Sequence, residues 1–275
     1  MKPGHYPPQE PLSEAGQKYG DECLRRSAGI AFEEARYGDD PYQSVAVFPA
    51  REPTGTVLLF WHGGGWTSGY KEWFAFMAPA LNAAGITFVS AGYRLAPQHV
   101  FPAGFDDCAR AVAWTHANIG RYGGDPKKLF IGGHSSGAHY AALLAARRDW
   151  LARHGLPADV VKGALPVSGT YWFTEGSGLA MRPRFLGADA ANDRAASPIH
   201  QLQPPLPPMF LALGTADFPH LVKQAEAFEA AVRAAGGEVE RLAMPDRNHF
   251  TASYATGEAD GPWVPRAVDF MRRHA

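Results

Sequence analysis

Leu129-Phe130-Ile131-Gly132-Gly133-His134-Ser135-Ser136-Gly137-Ala138-His139 is the stretch on which the reading of this chain turns. Residues 129–132 are apolar or small, a short run of the kind that forms a strand buried on both faces. Gly133-His134-Ser135-Ser136-Gly137 then matches G-x-S-x-G, and residues 138–146 continue as an alanine-rich helix former. Strand, sharp turn and helix in that order lift a serine hydroxyl above a sheet edge. The flanking glycines are needed because so tight a turn leaves no room for β-carbons. The start of the helix also favours negative charge developing beside the hydroxyl. The same five residues could merely cap a helix, so the assignment depends on what else the chain supplies. Ser136 is the adjacent rival, but the glycine spacing selects Ser135 as the candidate nucleophile.

Working upstream, His62-Gly63-Gly64-Gly65-Trp66 follows another short apolar run, 57–61. Acyl transfer passes through a tetrahedral oxyanion that preorganised N–H donors must meet. A glycine-rich loop lets the backbone approach a substrate closely enough to offer them. The loop could instead cradle phosphate, but no Walker lysine follows it and no G-x-G-x-x-G sits there. Gly63 and Gly64 are therefore the candidate oxyanion donors, with the Ser136 N–H as a third.

Working downstream, the nucleophile needs a histidine base held by a carboxylate. Behind a G-x-S-x-G turn the partners come in the order acid, then histidine. The apolar run 209–213 ends in Gly214-Thr215-Ala216-Asp217, which places Asp217 beyond the carboxyl end of a strand, where ligands gather. A helical stretch, Gly236-Gly237 and a strand at 238–244 then lead to the loop carrying His249. Asp217 and His249 are thus the expected acid and base. Asp246 is a weaker acid candidate, since it crowds His249 in sequence and suits a surface ion pair. His220 is too close to Asp217 to reach Ser135, and reads as a pocket-lining residue. His134 and His139 flank the elbow and read as packing or substrate-facing, and His62 as a brace for its own loop.

The remaining organisation agrees with one 275-residue α/β domain. Short apolar runs at 57–61, 86–90, 129–132, 164–167 and 209–213 alternate with helical stretches at 72–84, 105–119, 137–148, 221–235 and 264–273. That alternation predicts a mostly parallel central sheet with helices on both faces. Two short strands at 30–36 and 43–48, and a leading helix within 12–28, precede it. Residues 170–208 break the pattern. They are read as a small cap, with 1–28 as a candidate addition to it. Net charge is −1, which excludes the electrostatic footprint of a nucleic-acid or anionic-membrane partner. Two cysteines, Cys23 and Cys108, define no disulfide framework and read as small buried hydrophobes. The N-terminus lacks an apolar signal region, and no run is long enough to span a membrane, so a soluble cytoplasmic protein is the default expectation. Neither a cofactor nor a metal is called for, and the oligomeric state stays open.

Taken together, the HGGG-Trp66 loop, Tyr93-Arg94-Leu95-Ala96-Pro97, Phe101-Pro102-Ala103, Gly124-Asp125-Pro126 and the GHSSG elbow resemble hormone-sensitive-lipase-like esterases. The likeness is dense over residues 40–150 and thinner through Asp217 and His249. It implies an α/β-hydrolase fold with carboxylesterase activity and no cofactor. Gly133–His139, Ser168-Gly169-Thr170-Tyr171 and Asn248-His249-Phe250 are also similar to arylformamidases, the kynurenine formamidase group. Two features depart from these patterns: Ser136 stands where alanine is usual, and Thr215-Ala216-Asp217-Phe218-Pro219 lacks the Asp-Pro-Leu of the lipase-like group. The leading expectation is hydrolysis of small acyl or aryl esters, with a formamide substrate as the alternative. A non-catalytic ligand-binding homologue is the reading of another class. Trp66, Tyr171, Trp172, Phe218 and His220 are the expected substrate-facing residues.

Overall fold

The computed structural model describes residues 5–275; residues 1–4, part of the segment read as a candidate cap addition, lie outside the described residues. In chain order the elements are α1 (Glu14–Ser27), β1 (Glu33–Arg36), β2 (Ser44–Phe48), β3 (Val57–Trp61), α2 (Ala78–Ala83), β4 (Thr87–Ala91), α3 (Ala103–Asn118) and β5 (Leu129–His134). There follow α4 (Ser136–Ala146), α5 (Asp149–Arg153), β6 (Val161–Val167), α6 (Ala191–Ala195), β7 (Met209–Gly214), α7 (Pro219–Ala234), β8 (Val239–Met244), α8 (His249–Tyr254) and α9 (Val264–His274).

Among the described residues the eight strands form one sheet in the order β1-β2-β4-β3-β5-β6-β7-β8. Only β2 runs against its neighbours β1 and β4, and the other pairs are parallel. Side chains alternate faces along a strand, and this period divides the apolar residues between two cores. Val57, Leu59, Trp61, Leu129, Ile131, Leu211 and Leu213 face one side, against Cys108 and Val112 of α3, Leu143 of α4 and Phe228 of α7. Leu58, Phe60, Phe130 and Phe210 face the other, against Trp73, Leu81, Trp263 and Phe270. Both faces are thus covered, which is why the strands read as unbroken apolar runs rather than alternating ones. Cys23 and Cys108 lie in opposite cores, both buried and both free, so the sheet itself keeps them apart. The edge strand β1 is exposed and carries Glu33, Glu34 and Arg36, charges that discourage pairing with another edge.

One helix differs from expectation. The stretch 72–84 is not a single α-helix but a 3₁₀ helix, Lys71–Met77, followed by α2. Pro79 accounts for the break: it has no N–H, and its ring clashes with the carbonyl four residues back.

The topology itself locates the site. From β3 the chain moves outward to β4, then crosses back to β5 on the other side of β3. Strand order therefore reverses between β3 and β5, and a crevice opens at their carboxyl ends. Trp61 pairs with Gly133 there, so the loop after β3 and the turn after β5 emerge side by side.

Residues 170–208 fold back over that end of the molecule. They carry α6 and a short 3₁₀ helix, Pro198–His200, and bury Phe173, Phe185 and Leu186 in the first core. Phe185 stacks on Trp66 with ring centroids 4.5 Å apart, joining this segment to the loop after β3.

Candidate active site

Ser135 sits between β5 and α4 with φ 54° and ψ −115°, a conformation that side chains other than glycine rarely adopt. Its N–H donates to the Val167 carbonyl at 2.9 Å, and its carbonyl accepts from His139 N–H at 3.0 Å, so both neighbouring elements hold the strained residue. The glycine that follows is sterically required: a β-carbon on Gly137 would lie 2.1 Å from the Trp61 carbonyl oxygen. Every residue of α4 is buried, and its alanines let the helix start this close to the sheet.

His249 is the first residue of α8. Asn248 caps the helix, accepting from Phe250 and Thr251 N–H while the Thr251 hydroxyl accepts from the Asn248 N–H. His249 Nε2 lies 3.0 Å from Ser135 Oγ, and its Nδ1 lies 2.9 Å from Asp217 Oδ1. A carboxylate only accepts, so Nδ1 carries the proton and Nε2 is free to accept from the Ser135 hydroxyl. Asp217 stands just past the end of β7 and is buried. Its Oδ1 also accepts from Phe218 N–H at 2.7 Å, and its Oδ2 from the Ser168 hydroxyl at 2.5 Å. Burial alone would raise its pKa. The hydrogen bond and charge of His249, with the bond from Ser168, outweigh that and hold it below the ordinary carboxylate value.

Across the crevice, Gly63 lies against the nucleophile: a β-carbon there would sit 3.2 Å from Ser135 Cβ. Among the described residues none of the N–H groups of Gly63, Gly64 and Ser136 has a backbone acceptor, which leaves them available to a ligand. The loop is braced from behind. His62 Nδ1–H donates to the Gly63 carbonyl at 2.7 Å, and the Tyr93 hydroxyl donates to the His62 carbonyl at 3.0 Å. The Tyr93 oxygen is then left to accept from the Ser136 hydroxyl, 3.1 Å away. Trp66 Nε1–H donates to His139 Nδ1 at 3.1 Å, so the His139 proton is on Nε2, which donates to the Ala196 carbonyl at 2.6 Å. One histidine thus ties the loop after β3, helix α4 and segment 170–208 together. Burial pushes the His62 and His139 rings down to about 4, so both are neutral braces at pH 7.

A cleft of about 450 Å³ opens over Ser135. Trp66, Phe218 and His220 line it, and Phe218 lies 4.8 Å from the His249 ring while stacking on His220. Two expected pocket residues are corrected. Tyr171 is only 1% exposed and stacks on Phe228 at 4.4 Å, inside the core. Trp172 is half-buried at a separate surface hollow with Lys223 and His200. Gln224 of α7 accepts both their N–H groups, at 2.6 and 3.1 Å, and so turns this stretch toward α7 instead of the nucleophile. Thr170, Leu179 and Met181 reach the cleft from the same segment, and Leu12, Gly16 and Tyr19 reach it from the N-terminal one. Asp246 is exposed and forms no ion pair among the described residues, contrary to the surface pairing expected of it; Arg247 pairs with Glu258 instead. The hydroxyl of Ser168 and the hydroxyl of Tyr19 are working contacts that sequence reasoning missed. Ser168 immediately follows β6, the strand next to β7, a position that could have marked it. Tyr19 carries no local signal.

Among the described residues the one cluster with metal-ligand geometry is Glu238, Glu240 and His274, away from this crevice. Arg273 and Arg266 already pair with Glu240 there. Among the described residues no helix is long and apolar enough to cross a membrane.

The chain is similar to known proteins in both sequence and shape. It is 33% identical over 209 residues to esterase LipQ of Mycobacterium tuberculosis, covering 70% of this chain and 49% of the relative. Esterase LipC of the same organism is 31% identical over 248 residues, 82% of this chain and 61% of the relative. The chain therefore spans about half to three fifths of these relatives' lengths. The structure of an esterase from Pyrobaculum calidifontis superposes with a TM-score of 0.75 at 20% identity, covering 94% of this chain and 93% of that one, which speaks for the fold alone. The family model of the alpha/beta hydrolase fold matches residues 58–253, and with the elbow, the glycine loop and the sheet order already described, the chain belongs to that family.

Proposed function

We propose that the protein is a serine carboxylesterase that hydrolyses small acyl or aryl esters through an acyl-enzyme on Ser135. The observation that carries this reading is the unbroken line from Ser135 Oγ to His249 Nε2 at 3.0 Å and from His249 Nδ1 to Asp217 at 2.9 Å, facing the unclaimed amides of Gly63, Gly64 and Ser136. Relatives named as esterases support it.

The steps follow from these positions. Ser135 Oγ attacks the ester carbonyl carbon as its proton passes to His249 Nε2. The carbonyl π pair moves onto oxygen, and the three amides stabilise the resulting oxyanion. Asp217 steadies the imidazolium without taking its proton. Collapse of the intermediate breaks the C–O bond, and His249 returns the proton to the departing alcohol. A water molecule, deprotonated by the same nitrogen, then releases the acid by the reverse route.

An aryl formamide is the second reading. Formyl is the smallest acyl group, and the exposed ring of Phe218, 4.8 Å from that of His249 in the cleft, suits an aromatic leaving group. A non-catalytic homologue would have no need of the aligned Ser–His–Asp line. Nitrophenyl esters of increasing acyl length, assayed beside N-formylkynurenine, separate these readings. Turnover of acetyl to roughly hexanoyl esters is expected, on the scale of small-ligand pockets. A strong preference for the formamide would transfer the assignment, and no turnover of either would overturn it.

A further inference from the structure

We infer that His134 is a positioning residue for the base and that Tyr19 makes the N-terminal helix α1 part of the active site. The inference rests on the esterase reading above, and concerns how its base is held.

His134 ends β5, immediately before the nucleophile, and is buried. Its Nε2 lies 2.9 Å from the carbonyl oxygen of His249, and its Nδ1 lies 3.2 Å from the Tyr19 hydroxyl. A carbonyl can only accept, so the proton is on Nε2. Burial, and the neighbouring His249, push the ring's pKa well below the usual imidazole value, so at neutral pH it holds that one proton and Nδ1 must accept. Tyr19 therefore donates to Nδ1. Its oxygen in turn accepts from the Ser253 hydroxyl, 2.8 Å away. Every donor in the line is assigned: Ser253 to Tyr19, Tyr19 to His134, His134 to the His249 carbonyl.

Both ends of this line lie on α8, one turn apart, and the middle lies on α1 and β5. A helix of six residues has little stability of its own. The line pins it at two points to the end of the strand that leads into Ser135, directly through His134 and by way of Tyr19 on α1. Asp217 orients the imidazole of His249, and His134 fixes the backbone from which that imidazole hangs. The pair joined by His134 and Tyr19 is 115 residues apart, so chain connectivity cannot substitute for the contact. Tyr19 also packs on Trp73 at 5.6 Å and on Phe250 at 5.1 Å, so its ring would hold α1 in place even without the hydroxyl. Tyr19→Phe thus removes one link and little packing.

The test uses the full chain, with kcat and KM measured on nitrophenyl acetate for Tyr19→Phe, His134→Leu, His134→Gln and the double variant Tyr19→Phe/His134→Leu. Glutamine keeps a donor near the Nε2 position and leucine does not. His134→Leu should lose about 10- to 100-fold in kcat, the scale of an ångström-level misplacement, with KM within about twofold. His134→Gln should recover most of that loss. Tyr19→Phe should lose a few-fold, and the double variant should be no worse than His134→Leu alone, because the two residues act in one line. Wild-type kcat in Tyr19→Phe, or glutamine performing no better than leucine, overturns the inference. Should His134→Leu not fold, Tyr19→Phe and His134→Gln against wild type decide it. Ser135→Ala is assayed alongside: activity surviving there defeats the esterase reading itself, whereas an inactive Ser135→Ala with unimpaired Tyr19 and His134 variants defeats only this inference.

Discussion

Ser168 Oγ lies 2.5 Å from Asp217 Oδ2, the carboxylate oxygen that His249 does not use. The two residues follow the ends of neighbouring parallel strands, β6 and β7, and the Ser168 N–H still donates to the Ala212 carbonyl of β7 at 2.8 Å, so the sheet brings them together. With Phe218 N–H on the other oxygen, the carboxylate is held on both sides and presents a fixed lone pair to the imidazole. Ser168→Ala removes one hydrogen bond to a charged group, worth about 1.5–3 kcal/mol. The expected result is a kcat about 10- to 100-fold lower on a short-chain ester, with the fold retained by circular dichroism. Unchanged kcat would show that Asp217 needs no such support.

The identity of the acid has its own test. Asp217→Asn presents an amide where the carboxylate accepts, which favours the wrong imidazole tautomer and should lower kcat by about 10⁴. Asp246→Asn should leave kcat within about twofold, because Asp246 is exposed and His249 Nδ1 is already occupied by Asp217. Steady-state kinetics of the two variants check this, and exchanged phenotypes would assign the acid to Asp246.

Stability should fall on mild acidification. Burial pushes the rings of His62 and His139 down to about 4 in the folded protein and holds His134 low as well. An unfolded imidazole titrates near ~6.5. Between those values the unfolded chain binds more protons than the folded one, so unfolding is promoted as pH falls. The full contribution is present above ~6.5 and is lost progressively toward ~4, with a slope of up to ~1.4 kcal/mol per pH unit for each histidine. Urea unfolding at pH 7, 6 and 5 measures the slope. A flat profile across that window would mean that burial does not lower these rings and that they titrate in the folded protein as they do in the unfolded chain.

Chain-length preference should respond to Met181 and not to Trp172. Met181 lines the cleft, while Trp172 borders a separate hollow. Met181→Ala should raise kcat/KM for octanoyl relative to acetyl esters several-fold, given ~1–3 kcal/mol for each methylene accommodated. Trp172→Ala should leave the ratio unchanged. The reverse result would put Trp172 back in the pocket wall.

The parts of this protein that could be read from sequence share a physical cause. Strands β3, β5 and β7 are buried on both faces, and such strands appear as apolar runs closed by glycine. The elbow and the glycine loop are legible because backbone crowding leaves only glycine possible, as at Gly137. Asp217 and His249 follow from their places beyond strand ends. Tyr171 and Trp172 misled because the direction of an aromatic side chain in a loop depends on what seizes the backbone, here Gln224, more than 50 residues away. Tyr19 was missed for the same reason: its partners His134 and Ser253 lie 115 and 234 residues further along, and no local pattern marks such a contact.

The central claim is that an acyl group passes through Ser135. Rapid mixing of the protein with a nitrophenyl ester, acid quenching and mass mapping tests it directly. The account predicts a burst of nitrophenolate approaching one equivalent where deacylation is the slow step. It also predicts an acyl adduct on the peptide that contains Ser135, absent from Ser135→Ala, whose turnover should fall by about 10³–10⁶. An adduct on any other residue, or a Ser135→Ala protein that turns over the ester at the wild-type rate, would contradict it.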